Sequence, residues 1–454
     1  MKTLPARWIA NRSSRLRGLI PILAAFTLAG CATEFLMMPT PNLYTGPQAK
    51  PLFTDAPADV RTPPLDVLFV TDRAPAASAE APEPYTADRS RSLAFGSTTI
   101  LFGEAVTWDT LVRLSTERTE PLMLKLGPTK ELGRYPPIPY GVIETAGGLM
   151  RAPEVIEAHE TASRALQAEV ARRLASSARK EVVLFVHGYA NSFSDAAMTM
   201  GELCHFLGRE FVCAIFTWPA GGTRGILFGY DVDYESSVYA VEHLRKTIRT
   251  IATTPGVERI HLLAHSRGTD LLVSAVSDLV YEAYTHQSNF ARRYKIGNIV
   301  LMSPDIDADV ATAKIFKAVS DPDLPYGEAP NPSMLIERIP EFRLTIYVSP
   351  EDKALATSSW LFGSIARIGS FGRDTVTPKY IENWRTWGFI DMIQARHTAG
   401  WIGHSYFTSD PRASADLMAL LRYGLRPNDP GRPLEEIERP FWQLRTQHGA
   451  SGSK

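Results

Sequence analysis

The sequence predicts an α/β fold with a mainly parallel central sheet and helices on both faces. Three observations predict it. From Pro153 onward, helix-patterned stretches alternate with apolar strand-like runs. Those runs are continuous, as in strands buried on both faces, instead of alternating polar with apolar. One of them ends in a tight Ala-x-Ser-x-Gly turn that passes into a helix, Arg259-Ile-His-Leu-Leu-Ala-His-Ser-Arg-Gly268.

The elements follow in order. Pro153 to Arg179 places Ile156, Leu166, Val170 and Leu174 near one helical face, and Glu181-Val-Val-Leu-Phe-Val-His-Gly188 is a buried strand. Asp195 to Leu207 reads as helix, Val212 to Trp218 as strand, and Tyr234 to Thr253 as a helix with Val238, Val241, Leu244, Ile248 and Ile251 on one side. Ile260 to Ala264 feeds the serine turn, Leu271 to Tyr284 is helical, and Ile296 to Met302, Phe342 to Val348 and Phe389 to Ile393 are further strands. A last helix is expected around Ala413 to Tyr423. Residues 153–430 are therefore read as the main domain and 431–454 as a C-terminal tail.

Before Pro153 the pattern is weaker. Asp66 to Thr71, Leu93 to Gly96 and Thr98 to Phe102 resemble strands, and Ala74 to Ser90 reads as a loop. Pro121 to Met150 is rich in Pro and Gly, so 65–152 is read as early strands plus an irregular region. Residues 31–64, rich in Pro, Thr and Ala without periodicity, read as a tether.

The N-terminus carries a compartment signal. Lys2, Arg7, Arg12, Arg15 and Arg17 precede an apolar run, Leu19 to Ala29, too short to span a bilayer. The run ends in Leu28-Ala-Gly-Cys31, which resembles the lipobox of bacterial lipoproteins. That resemblance makes 1–30 a signal peptide and Cys31 the lipid-bearing first residue. Ala32, rather than Asp, follows it, and the expected address is the outer membrane, facing the periplasm. An ordinary cleaved signal peptide or an uncleaved anchor is the competing reading.

Composition excludes several classes. The 454 residues carry a formal net charge of −1, with no basic stripe of the kind that follows nucleic acid. Of 3 cysteines, only Cys204 and Cys213 remain after Cys31. An oxidising compartment permits them to pair if their Cα atoms come close enough. No His/Cys cluster has metal-ligand spacing, and the chemistry below needs no cofactor or metal. Gly221-Gly-Thr-Arg-Gly225 lacks the Lys-Ser/Thr ending of a phosphate loop and reads as a loop near the active-site mouth.

The serine turn supplies the chemistry. Ser266, pushed out between strand and helix, needs small neighbours two residues away on each side, and Ala264 and Gly268 meet that need. The Arg267 N–H stands at the helix start, able to donate to an oxyanion. A second donor, the N–H of Tyr189, is expected after Gly188, with His187 orienting that loop. In chain order an acid and a histidine should follow the serine. Asp352, just past the Val348 strand, is preferred over Asp305 and Asp307 because the later strand is the usual acid position. His404, in Trp401-Ile-Gly-His-Ser-Tyr-Phe407, is preferred as the base, with His397 its positional rival; His286 and His448 lie in a helix end and a polar tail.

These residues carry a family resemblance. Val182 to Tyr406 resembles the bacterial α/β-hydrolase family known as the DUF900 group, described as esterase/lipase-like. The resembling pieces are Phe185-Val-His-Gly-Tyr189, Thr217-Trp-Pro219, Gly229-Tyr with Asp233 and Ser237, Ala264 to Gly268, Pro304 to Asp307, Tyr347-Val-Ser with Asp352 to Leu355, and His404 to Phe407. Arg91-Ser-Leu-Ala-Phe-Gly96 resembles an upstream part. The resemblance implies the α/β-hydrolase fold and the hydrolase class but no substrate; from the serine chemistry itself, small-molecule or lipid esters are the expected substrates. A scaffold of this fold that has lost catalysis and serves as an envelope binding lipoprotein is the alternative. Leu355 to Gly372, with Trp360, Leu361, Phe362, Ile365 and Ile368, is apolar enough for an acyl-binding lid or for ordinary core packing.

Overall fold

In the computed structural model, described over residues 35–117, 122–222, 225–316, 321–322, 341–362, 366–396 and 403–445, parallel strands form the centre of one large sheet. In chain order the strands are β1 (Phe35–Leu36), β2 (Leu65–Pro75), β3 (Tyr85–Phe102), β4 (Met123–Arg134), β5 (Val142–Thr145), β6 (Gly148–Arg151), β7 (Glu181–Val186), β8 (Val212–Thr217), β9 (Arg259–His265), β10 (Ile296–Met302), β11 (Arg343–Val348), β12 (Ile390–Gln394), β13 (Leu434–Glu438) and β14 (Phe441–Leu444). The 12-stranded sheet has the order β1-β4-β3-β2-β8-β7-β9-β10-β11-β12-β14-β13, and β5 and β6 form a separate hairpin. From β2 to β14 every neighbouring pair is parallel; β1, β3 and β4 at one edge and β13 at the other pair antiparallel.

The longer helices are α1 (Trp108–Glu117), α2 (Pro153–Ala175), α3 (Phe193–Phe206), α4 (Gly225–Ala252), α5 (Gly268–Thr285), α6 (Lys353–Phe362), α7 (Pro378–Trp387) and α8 (Pro411–Tyr423). Successive strand residues point to opposite faces, so the core divides in two. On one face Leu184, Val186, Ala214, Phe216, Leu262 and Ala264 pack with Leu166, Leu244, Ile248 and Leu272 of α2, α4 and α5. On the other, Val183, Phe185, Ile215 and Leu263 pack with Met200, Leu203 and Phe206 of α3 and Leu417 and Met418 of α8. This is the doubly covered, mainly parallel sheet that the continuous apolar runs predict. None of the helices among the described residues is long and apolar enough to cross a membrane.

The expected boundaries need four corrections. Residues 35–64 are not a free tether: Phe35 pairs with Leu124, and Met37, Met38, Tyr44, Leu52 and Ala56 are buried. The segment is held by single apolar anchors separated by Pro turns, so it has no periodicity to read. The loop expected over Ala74 to Ser90 is shorter, because β3 begins at Tyr85 and pairs with β2 as far as Pro75. Pro121 to Met150 contains β4 and most of the β5–β6 hairpin, so 65–152 builds one edge of the main sheet instead of a separate irregular region. The expected C-terminal tail holds β13 and β14, and β14 joins β12 in parallel at the other edge. Cys204 and Cys213, the end of α3 and the start of β8, form a disulfide with a Cα separation of 6.1 Å.

Candidate active site

Ser266 sits at the carboxyl end of β9 with φ +52°, in the left-handed region that costs an L-residue roughly 1–2 kcal/mol. Packing on every side holds it there. Its N–H donates to Met302 O at 3.0 Å and its carbonyl accepts from Thr269 N at 3.0 Å in the first turn of α5. A Cβ on Gly268 would lie 2.2 Å from His187 O, and one on Gly188 would lie 2.8 Å from the Ser266 Cβ. Both glycines are therefore required by close approach, and Gly188 brings the loop after β7 directly against the serine.

Three side chains form one hydrogen-bonded row. His404 Nε2 is 2.8 Å from Ser266 Oγ, and His404 Nδ1 is 2.7 Å from Asp352 Oδ2. Asp352 is buried, and its other oxygen accepts from Ala354 N at 3.0 Å and Leu355 N at 3.1 Å at the start of α6. Those two donors hold the carboxyl group in place at the helix start. A carboxylate accepts only, so His404 presents Nδ1–H to it and leaves the Nε2 lone pair facing the Ser266 hydroxyl.

The histidine is also held through its backbone. Its carbonyl accepts from Ser303 Oγ at 2.6 Å and lies 3.2 Å from His265 Nε2. Burial, with a smaller contribution from His404, pushes the His265 pKa down to about 3, so its ring is neutral and Nε2–H is the donor. Ser303, at the end of β10, has φ +46°.

The competing acids have other work. Asp305 is buried between Arg267 Nη2 at 3.6 Å and Arg367 Nε at 3.4 Å and accepts from Ser358 Oγ at 2.8 Å. Asp307 caps a short helix through the N–H groups of Asp309 and Val310. His397 lies outside the described residues, as do Cys31, His448 and part of both the Gly221–Gly225 loop and the apolar stretch after Asp352. Within that stretch Leu355 and Ile368 are buried in the body.

The loop after β7 is clamped from three sides. Trp218 N donates to His187 Nε2 at 3.1 Å, which fixes the proton on Nδ1, 2.9 Å from Gly188 O. Burial first, and Arg73 second, holds the His187 pKa well below the ordinary value, so the ring stays neutral. Asp233, from α4, accepts from Ala190 N and from Gly221 N, each at 3.2 Å, tying the loops after β7 and β8 together. Arg73, buried on β2, donates to Asn191 O at 2.7 Å, Ala220 O at 2.9 Å and Thr217 Oγ1 at 2.8 Å. Tyr189 thus follows the glycine packed on Ser266, and Arg267 follows Ser266 itself. Arg267's guanidinium turns away, to Asp270 at 3.3 Å and Asp305.

Arg73, His265 and Ser303 were not singled out by sequence. His265 lies inside the serine turn, which could have drawn attention to it; Arg73 and Ser303 carry no local signal.

Comparison with known proteins places the chain. Residues 162–421 match the family described as alpha/beta hydrolase of unknown function (DUF900). No curated protein matches. Among solved structures, the chain is similar to an esterase from Pyrobaculum calidifontis, with 11% identity over 55% of this chain and 78% of that one and a TM-score of 0.27. It is also similar to a predicted CIB-like hydrolase from Thermoplasma acidophilum, at 12% identity over 54% and 88% with a TM-score of 0.27. A third is the RedJ thioesterase of the prodiginine biosynthetic pathway in Streptomyces coelicolor, at 15% identity over 55% and 91% with a TM-score of 0.27.

Proposed function

The chain belongs to the alpha/beta hydrolases of the DUF900 family, and from that premise we propose that it is a serine hydrolase of carboxylic esters, working through Ser266, His404 and Asp352. The observation that carries the reading is the row of short contacts, 2.8 Å from serine to histidine and 2.7 Å from histidine to a buried aspartate. Ser266 Oγ attacks the ester carbonyl while His404 Nε2 takes its proton, and the negative charge moves to the carbonyl oxygen. The N–H groups of Tyr189 and Arg267 stabilise that oxyanion. Collapse breaks the carbon–oxygen bond to the alcohol, which leaves with the proton from His404, and the acyl group stays on Ser266. Water then attacks, His404 takes its proton, and the acid departs as Ser266 is restored. Asp352 holds the His404 tautomer and stabilises the imidazolium formed in each half. Thioesters and amides call on the same groups.

We also propose lipidation at Cys31 and an outer-membrane site facing the periplasm, on the Leu28-Ala-Gly-Cys31 run behind a basic and apolar N-terminus. The Cys204–Cys213 disulfide supports an oxidising compartment.

The test uses the detergent-extracted protein with a fluorophosphonate probe and short p-nitrophenyl esters, beside Ser266→Ala. Labelling and turnover that vanish in the variant are expected. Folded protein that neither labels nor turns over any ester would mean a scaffold without catalysis.

A further inference from the structure

Lipid anchoring at Cys31 would fix how the body stands on its membrane, because the chain after the anchor is short and the segment behind it is locked to one end of the sheet. Residues 35–64 run beneath the amino ends of the parallel strands. Met37 N donates to Leu122 O at 2.7 Å, and Met38 N donates to the buried Glu202 at 2.7 Å. Tyr44 OH donates to Phe206 O at 2.6 Å, and Pro51 O accepts from Arg422 at 3.1 Å. Arg209 donates to Val60 O at 3.0 Å and Pro63 O at 3.2 Å.

Every one of these partners belongs to the amino-end face. Phe206 closes α3, which leaves the loop after β7 and runs back across the sheet. Arg422 closes α8, which does the same after the His404 loop, and it pairs with Glu210, two residues before β8. Arg179, two residues before β7, donates to Arg422 O at 2.7 Å. Ser266, Asp352 and His404 stand at the opposite, carboxyl-end face of the parallel sheet, after β9, β11 and β12.

The reach of the chain decides between orientations. Cys31 to Phe35 is four residue steps, at most about 14 Å even fully extended. Along β7, the seven steps from Glu181 to Gly188, which touches Ser266, cover roughly 23 Å at the strand rise. Across the sheet, β1 and β9 are six strand spacings apart, roughly 29 Å. A body standing on its amino-end face holds the serine a strand length above the lipid. A body tipped onto its β1 edge holds it six strands away.

Resting on the lipid-anchor reading, we propose that the amino-end face lies toward the anchoring bilayer and that the Ser266 mouth opens away from it. The substrates are then esters presented from the aqueous side, dissolved or carried on a facing structure, and not lipids of the anchoring leaflet.

The experiment uses the full-length lipoprotein in phosphatidylethanolamine/phosphatidylglycerol vesicles. Mass spectrometry of the N-terminal peptide, beside Cys31→Ala, first reads lipidation. A single cysteine is then added at exposed Ala58, on the amino-end segment, or at exposed Glu351, beside Asp352, and labelled with a donor dye against a headgroup acceptor. Strong transfer from position 58 and several-fold weaker transfer from position 351 is expected. Equal or reversed transfer on lipidated protein overturns the orientation while leaving the anchor intact. An unmodified Cys31 overturns the anchor and the orientation together. Neither readout depends on catalysis, so loss of the hydrolase reading would leave the result standing. As a second measure, a long-chain ester lipid should be turned over when carried on separate vesicles and spared when mixed into the anchoring ones; the opposite preference also overturns the proposal.

Discussion

Asp352→Asn separates the proposed acid from its rivals with almost no change of shape. In the native protein one carboxylate oxygen faces His404 Nδ1 at 2.7 Å and the other accepts the N–H groups of Ala354 and Leu355 at 3.0 and 3.1 Å. An asparagine keeps its carbonyl oxygen on those two donors and must turn its NH2 toward Nδ1. That nitrogen then becomes an acceptor, the ring proton moves to Nε2, and the lone pair that should receive the Ser266 proton is gone. The same tautomer error in the serine-protease template costs about 10⁴ in turnover, or about 5.4 kcal/mol at 1.36 kcal/mol per decade. Asn caps a helix about as well as Asp, so the melting curve should move by no more than about 1 kcal/mol equivalent. The assay is p-nitrophenyl ester turnover and fluorophosphonate labelling rate, with thermal unfolding on the same samples. Asp305→Asn is the control: it removes a charge from between Arg267 and Arg367, so it should cost roughly 3–5 kcal/mol of stability without inverting the His404 tautomer. Turnover by Asp352→Asn within tenfold of native, or selective loss in a well-folded Asp305→Asn, would refute the assignment.

Ser266→Gly should be more stable than Ser266→Ala by roughly 1 kcal/mol, since only glycine accepts φ +52° without strain; equal denaturant midpoints would show the turn to be relaxed. Burial raises the Glu202 pKa to about 8, above its unfolded value, so the folded state holds the proton longer. Its contribution is complete below the unfolded pKa of roughly 4.3 and is lost as pH rises through about 8, by at most about 1.4 kcal/mol per pH unit. Glu202→Gln, which keeps an acceptor for Met38 N, should therefore flatten the fall in melting temperature between those limits, and an unchanged slope would locate the proton elsewhere. Replacing both Cys204 and Cys213 by Ala opens a loop with a sequence separation of 9 and should cost about 2.5 kcal/mol in chemical denaturation; no loss would mean that the unfolded chain gains nothing from release.

The centre of the fold was legible because strands such as β7 and β8 are buried on both faces and so must be apolar throughout. Its edges were not. The first half of β3, Tyr85 to Ser92, is mostly part-buried or exposed and carries Asp88, Arg89 and Arg91 in the strand, so its composition resembles a loop. β13 likewise places Glu435, Glu436 and Ile437 at an exposed edge, where charge belongs and apolar patterning fades. Hairpin pairing fixed these segments, β3 folding back on β2 and β13 on β14, and backbone pairing leaves no trace in residue identity.

The site divides in the same way. That Ser266, Asp352 and His404 would meet was legible because each was expected after a strand, in a fixed order, at one end of a parallel sheet. Arg73 obeys no such rule. Its partners are backbone carbonyls of Thr86, Asn191 and Ala220, respectively 13, 118 and 147 residues away, together with the Thr217 hydroxyl, and a backbone carbonyl leaves no trace in residue identity. Yet a buried guanidinium with this many charge-assisted bonds fixes the loop that carries Tyr189 more firmly than neutral contacts could. Burial lowers its pKa only to about 10, so it remains charged at neutral pH and keeps every donor. Arg73 lies on β2, outside the residues 162–421 that match the family. The strands before Pro153 therefore serve the site as well as the sheet: a body trimmed to the strict β-α alternation would keep the Ser266–His404–Asp352 row and lose the cation that clamps the loop beside it.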